Sequence, residues 1–138
     1  MVFAWLIIGL LAAWLFVFVA CGKDLAYERC MFAIGLIVAT GVYLAFAIWW
    51  QQVDWILIEF FAVLFNLLFV YLAIRFSIYW LVFAWAAHPF WDLYIHLIGP
   101  ASYFTPSWYP VFCMAFDLFV AVIILKRQKD WRRIPKSS

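Results

Sequence analysis

The fold is decided by long apolar runs, of which WILIEFFAVLFNLLFVYLAI, residues 55–74, is one. Within it stand a single charged residue, Glu59, and a single amide, Asn66. A helix of this length rises about 30 Å, which matches the hydrocarbon core of a bilayer. The stretch therefore predicts a membrane-spanning helix with an acidic side chain inside the bilayer.

Similar runs lie on both sides of this stretch, at about residues 2–20, 31–50, 76–97 and 108–125. Of the 138 residues, 72% are hydrophobic and 12% are charged, which is outside the usage of soluble proteins. A signal peptide would account for the first run alone. We therefore predict an all-α, polytopic membrane protein in which residues 1–138 form a single transmembrane domain, a bundle of five transmembrane helices.

The basic residues predict how this bundle is oriented. With five spans, Lys23, Arg29, Arg75 and the basic residues of the tail, 126–138, all fall on one side of the membrane. Because cytoplasmic loops are enriched in lysine and arginine, the N-terminus is predicted to lie outside and the C-terminus in the cytoplasm. We expect a multi-pass protein of a bacterial or archaeal inner (cytoplasmic) membrane. Its basic residues would contact membrane lipids, and they do not indicate nucleic-acid binding.

Polar side chains inside the predicted spans mark a candidate site. In helix four, His88, Asp92 and His96 recur every four residues, and in helix five Cys113 and Asp117 have the same spacing. Side chains four residues apart share one face of a helix. The predicted helix directions place five polar residues at similar depth, in the outer half of the bilayer: Glu59, His88, Asp92, Cys113 and Asp117.

Three interpretations of this polar set stay open. Imidazole, carboxylate and thiolate groups bind divalent transition metals, and the candidate ligands are Glu59, His88, Asp92, His96, Cys113 and Asp117. Without a metal, a buried carboxyl group beside an imidazole can act as acid or base, and the candidate catalytic residues are then Glu59, His88, Asp92 and Asp117. The third interpretation is a hydrogen-bonded network that only fixes helix packing.

These interpretations give three classes of function. The first is a metal-binding or acid/base enzyme with an intramembrane His/Asp/Glu site that acts on an apolar or lipid-like molecule. The second is a non-catalytic small subunit of a larger membrane complex, whose partners are other membrane protein subunits. The third is proton or ion transport, although the sequence lacks the internal repeat that is common in transporters.

The polar motifs and the residues around them resemble a known family over helices three to five. The likeness is carried by these residues: Glu59, Ala86, Ala87, His88, Trp91, Asp92, His96, Pro106, Trp108, Tyr109, Pro110, Phe112, Cys113 and Asp117. They are similar to the small bacterial integral membrane proteins of domain-of-unknown-function family 6010. The resemblance implies that the carboxylate, the His-x-x-x-Asp-x-x-x-His stripe and the Cys-x-x-x-Asp pair form a shared polar set. It implies no particular reaction.

A second likeness concerns the turn before helix five. Asp92 and His96, followed by Thr105, Pro106 and Ser107, are similar to the metal region of the copper membrane monooxygenase C subunit, Asp-x-x-x-His followed by Thr-Pro-Ser-His. Trp108 stands where that pattern has its last histidine, and the spacing is one residue short. This departure removes one ligand from the pattern.

Overall fold

The structure is a computed structural model that describes residues 1–131. In this part of the chain, six helices follow one another and no strand is formed. Five of them are long, and the short α5 lies in the turn before the last one. Their bounds are α1 Val2–Ala20, α2 Leu25–Trp49, α3 Val53–Arg75, α4 Tyr79–Leu97, α5 Ala101–Phe104 and α6 Tyr109–Trp131.

Four helices, α1, α2, α3 and α6, are long and apolar enough to cross a membrane. They confirm the prediction of an all-α, multi-pass membrane protein. The helix α4 is as long as α1, at 19 residues, but it is not in this group because its histidines, aspartate and proline lower its mean hydropathy. The fifth span and the orientation of the termini therefore stay predictions.

Two predicted helix boundaries are wrong. The helix α2 begins at Leu25 rather than near residue 31, because the Asp24 carboxylate accepts a hydrogen bond from the backbone N–H of Tyr27 and caps the helix. The helix α6 continues to Trp131 rather than ending near residue 125. Half of the predicted basic tail is therefore helical, and residues 132–138 of that tail lie outside the described part of the chain.

The helices pack around α6, which contacts both α1 and α4, while α2 packs against α3. The glycine at position 9 allows α1 to approach α6 closely, since a methyl group there would collide with the carbonyl oxygen of Phe112. On the other side of the bundle, the indole Nε1 of Trp85 donates a hydrogen bond of 3.0 Å to the carbonyl oxygen of Phe32 and joins α4 to α2.

A partly buried ion pair joins α2 and α6 near the predicted cytoplasmic end. Glu28 falls in the loop between the predicted spans 2–20 and 31–50, but it is buried in the first turn of α2 and accepts a hydrogen bond from Nε of Arg127. One turn further along α2, Phe32 packs against Trp131 of α6. The loop assignment of Glu28 is therefore wrong, and the residue ties the two helices together.

Candidate functional site

The imidazole of His88 lies between two carboxyl groups in the interior of the bundle. Its Nδ1 is 2.9 Å from Oδ2 of Asp117, on α6, and its Nε2 is 3.6 Å from Oδ1 of Asp92, one turn further along α4. All three residues are buried, with Asp92 fully inaccessible to solvent. One potential ligand atom from each of them lies within 4.8 Å of the other two.

The two short distances have different meanings. A separation of 2.9 Å is that of a hydrogen bond, and the ring N–H of His88 donates because an ionised carboxylate only accepts. The bond therefore fixes the orientation of the ring and leaves Nε2 free. At 3.6 Å, Nε2 and the Asp92 oxygen are too far apart for a hydrogen bond. They face each other across a gap.

Asp92 is the least satisfied group of the cluster. Among residues 1–131, neither of its carboxylate oxygens has a hydrogen-bond partner of normal geometry, although the thiol of Cys113 interacts with the carboxyl group. A buried polar group left without a partner costs about 1–3 kcal/mol, and a charged one costs more. Because Asp92 is fully buried, a cation or a proton bound beside it would stabilise the folded protein.

Glu59 brings a third carboxyl group to the cluster from α3. The residue is buried, and its electrostatic neighbours include His88 and the indole of Trp91. In the described chain, Oε1 of Glu59 and Nε1 of Trp91 both lack a hydrogen-bond partner of normal geometry. Glu59 thus adds a third acidic group to the site, in which His88 is the basic partner of both ion pairs.

Cys113 and two tyrosines complete the buried surroundings. Cys113 precedes Asp117 by one turn of α6, and it interacts with Asp92 and with the hydroxyl group of Tyr109. Tyr43 of α2 is also buried, and its electrostatic neighbours include Asp92 and Glu59. Sequence reasoning did not assign Tyr43 to the site, although a tyrosine inside an apolar run, away from the predicted interfaces, was a usable signal.

His96 continues the stripe in sequence but lies outside the three-residue group. Its Nδ1 is 3.2 Å from Oγ1 of Thr105, in the turn that follows α5. Residues spaced by four advance about 40° around a helix at each step, so two steps turn His96 away from the cluster. Its side chain lies against the turn at Thr105 instead.

The structure thus brings together three of the predicted site residues, His88, Asp92 and Asp117, from two helices. Glu59 and Cys113 stand beside them, and His96 stands apart. Their roles as metal ligands or catalytic groups stay predictions, since position alone assigns no role. Asn66, the other polar residue of α3, donates a hydrogen bond to Ala62 in its own helix rather than to a neighbouring helix.

A groove of about 760 Å³ opens beside the cluster, between α3 and α4. Apolar side chains form most of its walls, and the exceptions are Asn66, His88 and Trp91. His88 therefore belongs both to the buried polar cluster and to the wall of the groove. An apolar molecule in this groove would contact the imidazole without passing through water.

No family model, curated protein or solved structure matches the sequence. The resemblances to domain-of-unknown-function family 6010 and to the copper monooxygenase subunit stay predictions based on the quoted motifs. The interpretation of the cluster consequently depends on its own distances, burial and charge.

Proposed function

We propose that this protein is a membrane enzyme that binds a divalent transition metal ion at His88 and Asp92 and acts on an apolar or lipid-like molecule. The distance of 3.6 Å between Nε2 of His88 and Oδ1 of Asp92 carries this proposal. Two ligand atoms about 2.1 Å from one metal ion, at a tetrahedral angle, lie about 3.4 Å apart. The two groups are therefore spaced as neighbouring ligands of one ion.

The charge of the cluster supports a cation at this position. Glu59, Asp92 and Asp117 supply three carboxyl groups, and His88 is the basic group in both ion pairs of the cluster. Oxygen and imidazole ligands suit zinc, manganese and iron in their divalent states. A metal ion between these groups would satisfy the unpartnered oxygens of Asp92 and Glu59.

Different residues would have different roles around this ion. His88 would bind through Nε2 and Asp92 through a carboxylate oxygen, while Glu59 would add a third acidic group from α3. Asp117 would hold the His88 ring through Nδ1, as carboxylates commonly do for metal-binding histidines. The ion would supply Lewis-acid chemistry at the wall of the apolar groove.

A second candidate function is proton transfer without a metal, and the hydrogen bond between His88 and Asp117 favours it. An imidazole held by a carboxylate and facing a second carboxyl group can take a proton on one side and give it on the other. Metal-free protein as purified, with thermal stability unchanged by Zn²⁺, Mn²⁺ or Fe²⁺, would favour this candidate over the metal site.

The two other functions considered from the sequence have less support. A layer of buried apolar side chains, including Phe32, Trp85 and Ile124, separates the His88 cluster from the Glu28–Arg127 pair. A proton path through the described bundle would have to cross this layer. The subunit function would be favoured by a stable complex on native gels that is unaffected by substitution of His88 or Asp92.

Metal content tests the proposal directly. Protein purified in detergent is analysed by inductively coupled plasma mass spectrometry, as wild type and as the variants His88→Ala and Asp92→Ala. We expect about one ion per chain in the wild type and loss of the ion from both variants, because each removes a ligand. His96→Ala is the matched control and should retain the ion. Equal, substoichiometric metal in all four proteins would overturn the proposal.

A further inference from the structure

The α3–α4 groove lies in the middle of the predicted membrane-spanning region. On α3 it extends from Ile58 to Phe69, which is about 16 Å at 1.5 Å per residue. Its upper end lies about 8 Å below Val53, where α3 begins, and its lower end lies about 9 Å above Arg75, where α3 ends. The groove therefore reaches neither end of the helix.

The mouth of the groove faces the surrounding membrane rather than water. Phe61 and Phe65 line it and are 65% and 59% exposed, on a helix that is apolar enough to span a bilayer. A polar headgroup would lose its hydrogen bonds to water in such a groove, whereas a hydrocarbon chain would not. The volume of about 760 Å³ also lies within the range of about 300–1,000 Å³ that is typical of small-molecule sites.

His88 meets this groove far from the polar surface. It lies nine residues before Leu97, where α4 ends, or about 14 Å along the helix. Asn66 donates one of its two amide hydrogens to Ala62 in its own helix. His88 and Trp91 are the groups of the groove wall that also neighbour the buried carboxyl groups.

We propose that the groove holds the hydrocarbon chain of a membrane lipid and presents a carbon near the middle of that chain to His88. The chemical class is a lipid with a long unsaturated acyl or isoprenoid chain, whose carbon–carbon double bond is a group that a Lewis acid or an acid can polarise. It would enter sideways from the bilayer between α3 and α4. Its headgroup and ester linkage stay near the outer face, away from the cluster. The chemistry rests on the proposed function, but occupancy of the groove does not.

A second groove serves as an internal reference. It lies between α2 and α3, has a volume of about 530 Å³, and is lined by apolar residues together with Arg29 and Cys30. No residue of the His88 cluster lines it. This groove extends to Ile74, next to the end of α3, so it meets lipid at a different depth and serves only as the reference for the filling variants.

Depth-resolved photolabelling of the full chain in phosphatidylcholine vesicles tests the inference. Two photoreactive phosphatidylcholines, each added in trace amount, are compared. One carries a diazirine in the middle of the acyl chain, and the other carries it next to the acyl carbonyl. After illumination, labelled peptides are quantified by mass spectrometry. We expect the mid-chain probe to label the α3–α4 groove about tenfold more than the carbonyl probe does, corresponding to a preference of about 1.4 kcal/mol.

Filling the groove provides the matched control. Ala87→Phe places a ring in the α3–α4 groove and should lower the labelling of that groove about tenfold. Ala33→Phe places a ring in the reference groove and should leave the labelling of the α3–α4 groove unchanged. If Ala87→Phe does not fold, as judged by size exclusion and circular dichroism, Ala62→Phe on the opposite wall replaces it. Equal labelling of the α3–α4 groove by the two probes, or labelling of that groove that is unchanged by the filling variants on its walls, would overturn the inference.

Repeating the labelling after chelation separates this inference from the proposed function. Labelling needs no metal, so it should persist in the presence of a chelator. A labelled groove in a protein that is purified without metal and binds none on titration would contradict the metal site alone. A metal-loaded protein with no preference for the mid-chain probe would contradict the lipid-chain inference alone.

Discussion

Oδ1 of Asp92 lies 3.6 Å from Nε2 of His88, one turn away on the same helix, and both oxygens of Asp92 lack a hydrogen-bond partner within residues 1–131. The two side chains are therefore close enough to bind one cation, but they are too far apart to hydrogen-bond to each other. This relationship makes the stability of the protein sensitive to whatever cation binds between the two side chains.

The variant Asp92→Asn should change stability in opposite directions with and without metal. With a chelator present, we expect it to be more stable than the wild type by about 1–3 kcal/mol, because a buried carboxylate whose oxygens accept no hydrogen bond, and whose ion pair with His88 spans 3.6 Å, has been replaced by a neutral group. With the bound ion present, the wild type should be the more stable protein, since binding stabilises the folded state. Thermal unfolding in detergent, with and without chelator, measures both effects. If the difference in stability between Asp92→Asn and the wild type had the same sign with and without chelator, no cation would bind between Asp92 and His88.

The variant Asp117→Asn should weaken metal binding without removing a ligand. Asp117 holds Nδ1 of His88 at 2.9 Å, and loss of such a supporting carboxylate typically lowers metal affinity about 10–100-fold. Titration calorimetry with Zn²⁺ or Mn²⁺ measures the change. Asp54→Asn, at an exposed position in the first turn of α3, is the control and should bind as the wild type does. Unchanged affinity in Asp117→Asn would refute its supporting role.

Gly9 and Gly41 should respond oppositely to alanine. A methyl group at Gly9 would collide with the backbone of α6 at Phe112, so Gly9→Ala should destabilise the protein by about 1–3 kcal/mol. At Gly41 a methyl group meets nothing within 4 Å, so Gly41→Ala should stabilise α2 by about 0.5–1 kcal/mol. Denaturant unfolding in detergent gives both values. A neutral Gly9→Ala variant would show that α1 does not pack against α6 as described.

The thiol of Cys21 should be slow to alkylate. Burial, followed by the charge of Glu28, raises the pKa of Cys21 to about 11, so little thiolate is present at pH 8. The exposed Cys30 should react first with a maleimide in detergent, and the rate at Cys21 should rise steeply between pH 8 and pH 11. Mass spectrometry of the alkylated peptides follows both sites. Equal rates at pH 8 would contradict the partly buried position of Cys21 beside Glu28.

The fifth span can be tested with one cysteine on each side of α4. In a protein whose three natural cysteines are replaced by serine, Ser77→Cys lies before α4 and Ser102→Cys lies after it. If α4 crosses the bilayer, an impermeant maleimide applied to intact cells should label Ser102→Cys and not Ser77→Cys. Labelling of both from the same side would show that α4 does not span, and labelling of Ser77→Cys alone would reverse the predicted orientation.

Much of the fold was predictable from the sequence because its signals are local. Long apolar runs predict membrane helices wherever they occur, and four of the predicted spans are confirmed by length and composition. The errors lie at helix ends, where a single cap such as Asp24 adds turns that hydropathy does not register. The spacing of His88 and Asp92 likewise placed both on one helix face, since helical periodicity alone decides which neighbours one turn apart can meet.

The amino-acid sequence by itself determined which helices form and which polar side chains share a face within each of them. Only the tertiary structure decided that Asp117, 29 residues away in sequence, holds His88, and that Glu28 meets Arg127. It also excluded His96 from the cluster and opened the groove beside His88. The reason is physical: contacts between helices depend on the rotation and tilt of each helix, which are set by the packing of many side chains rather than by any local pattern.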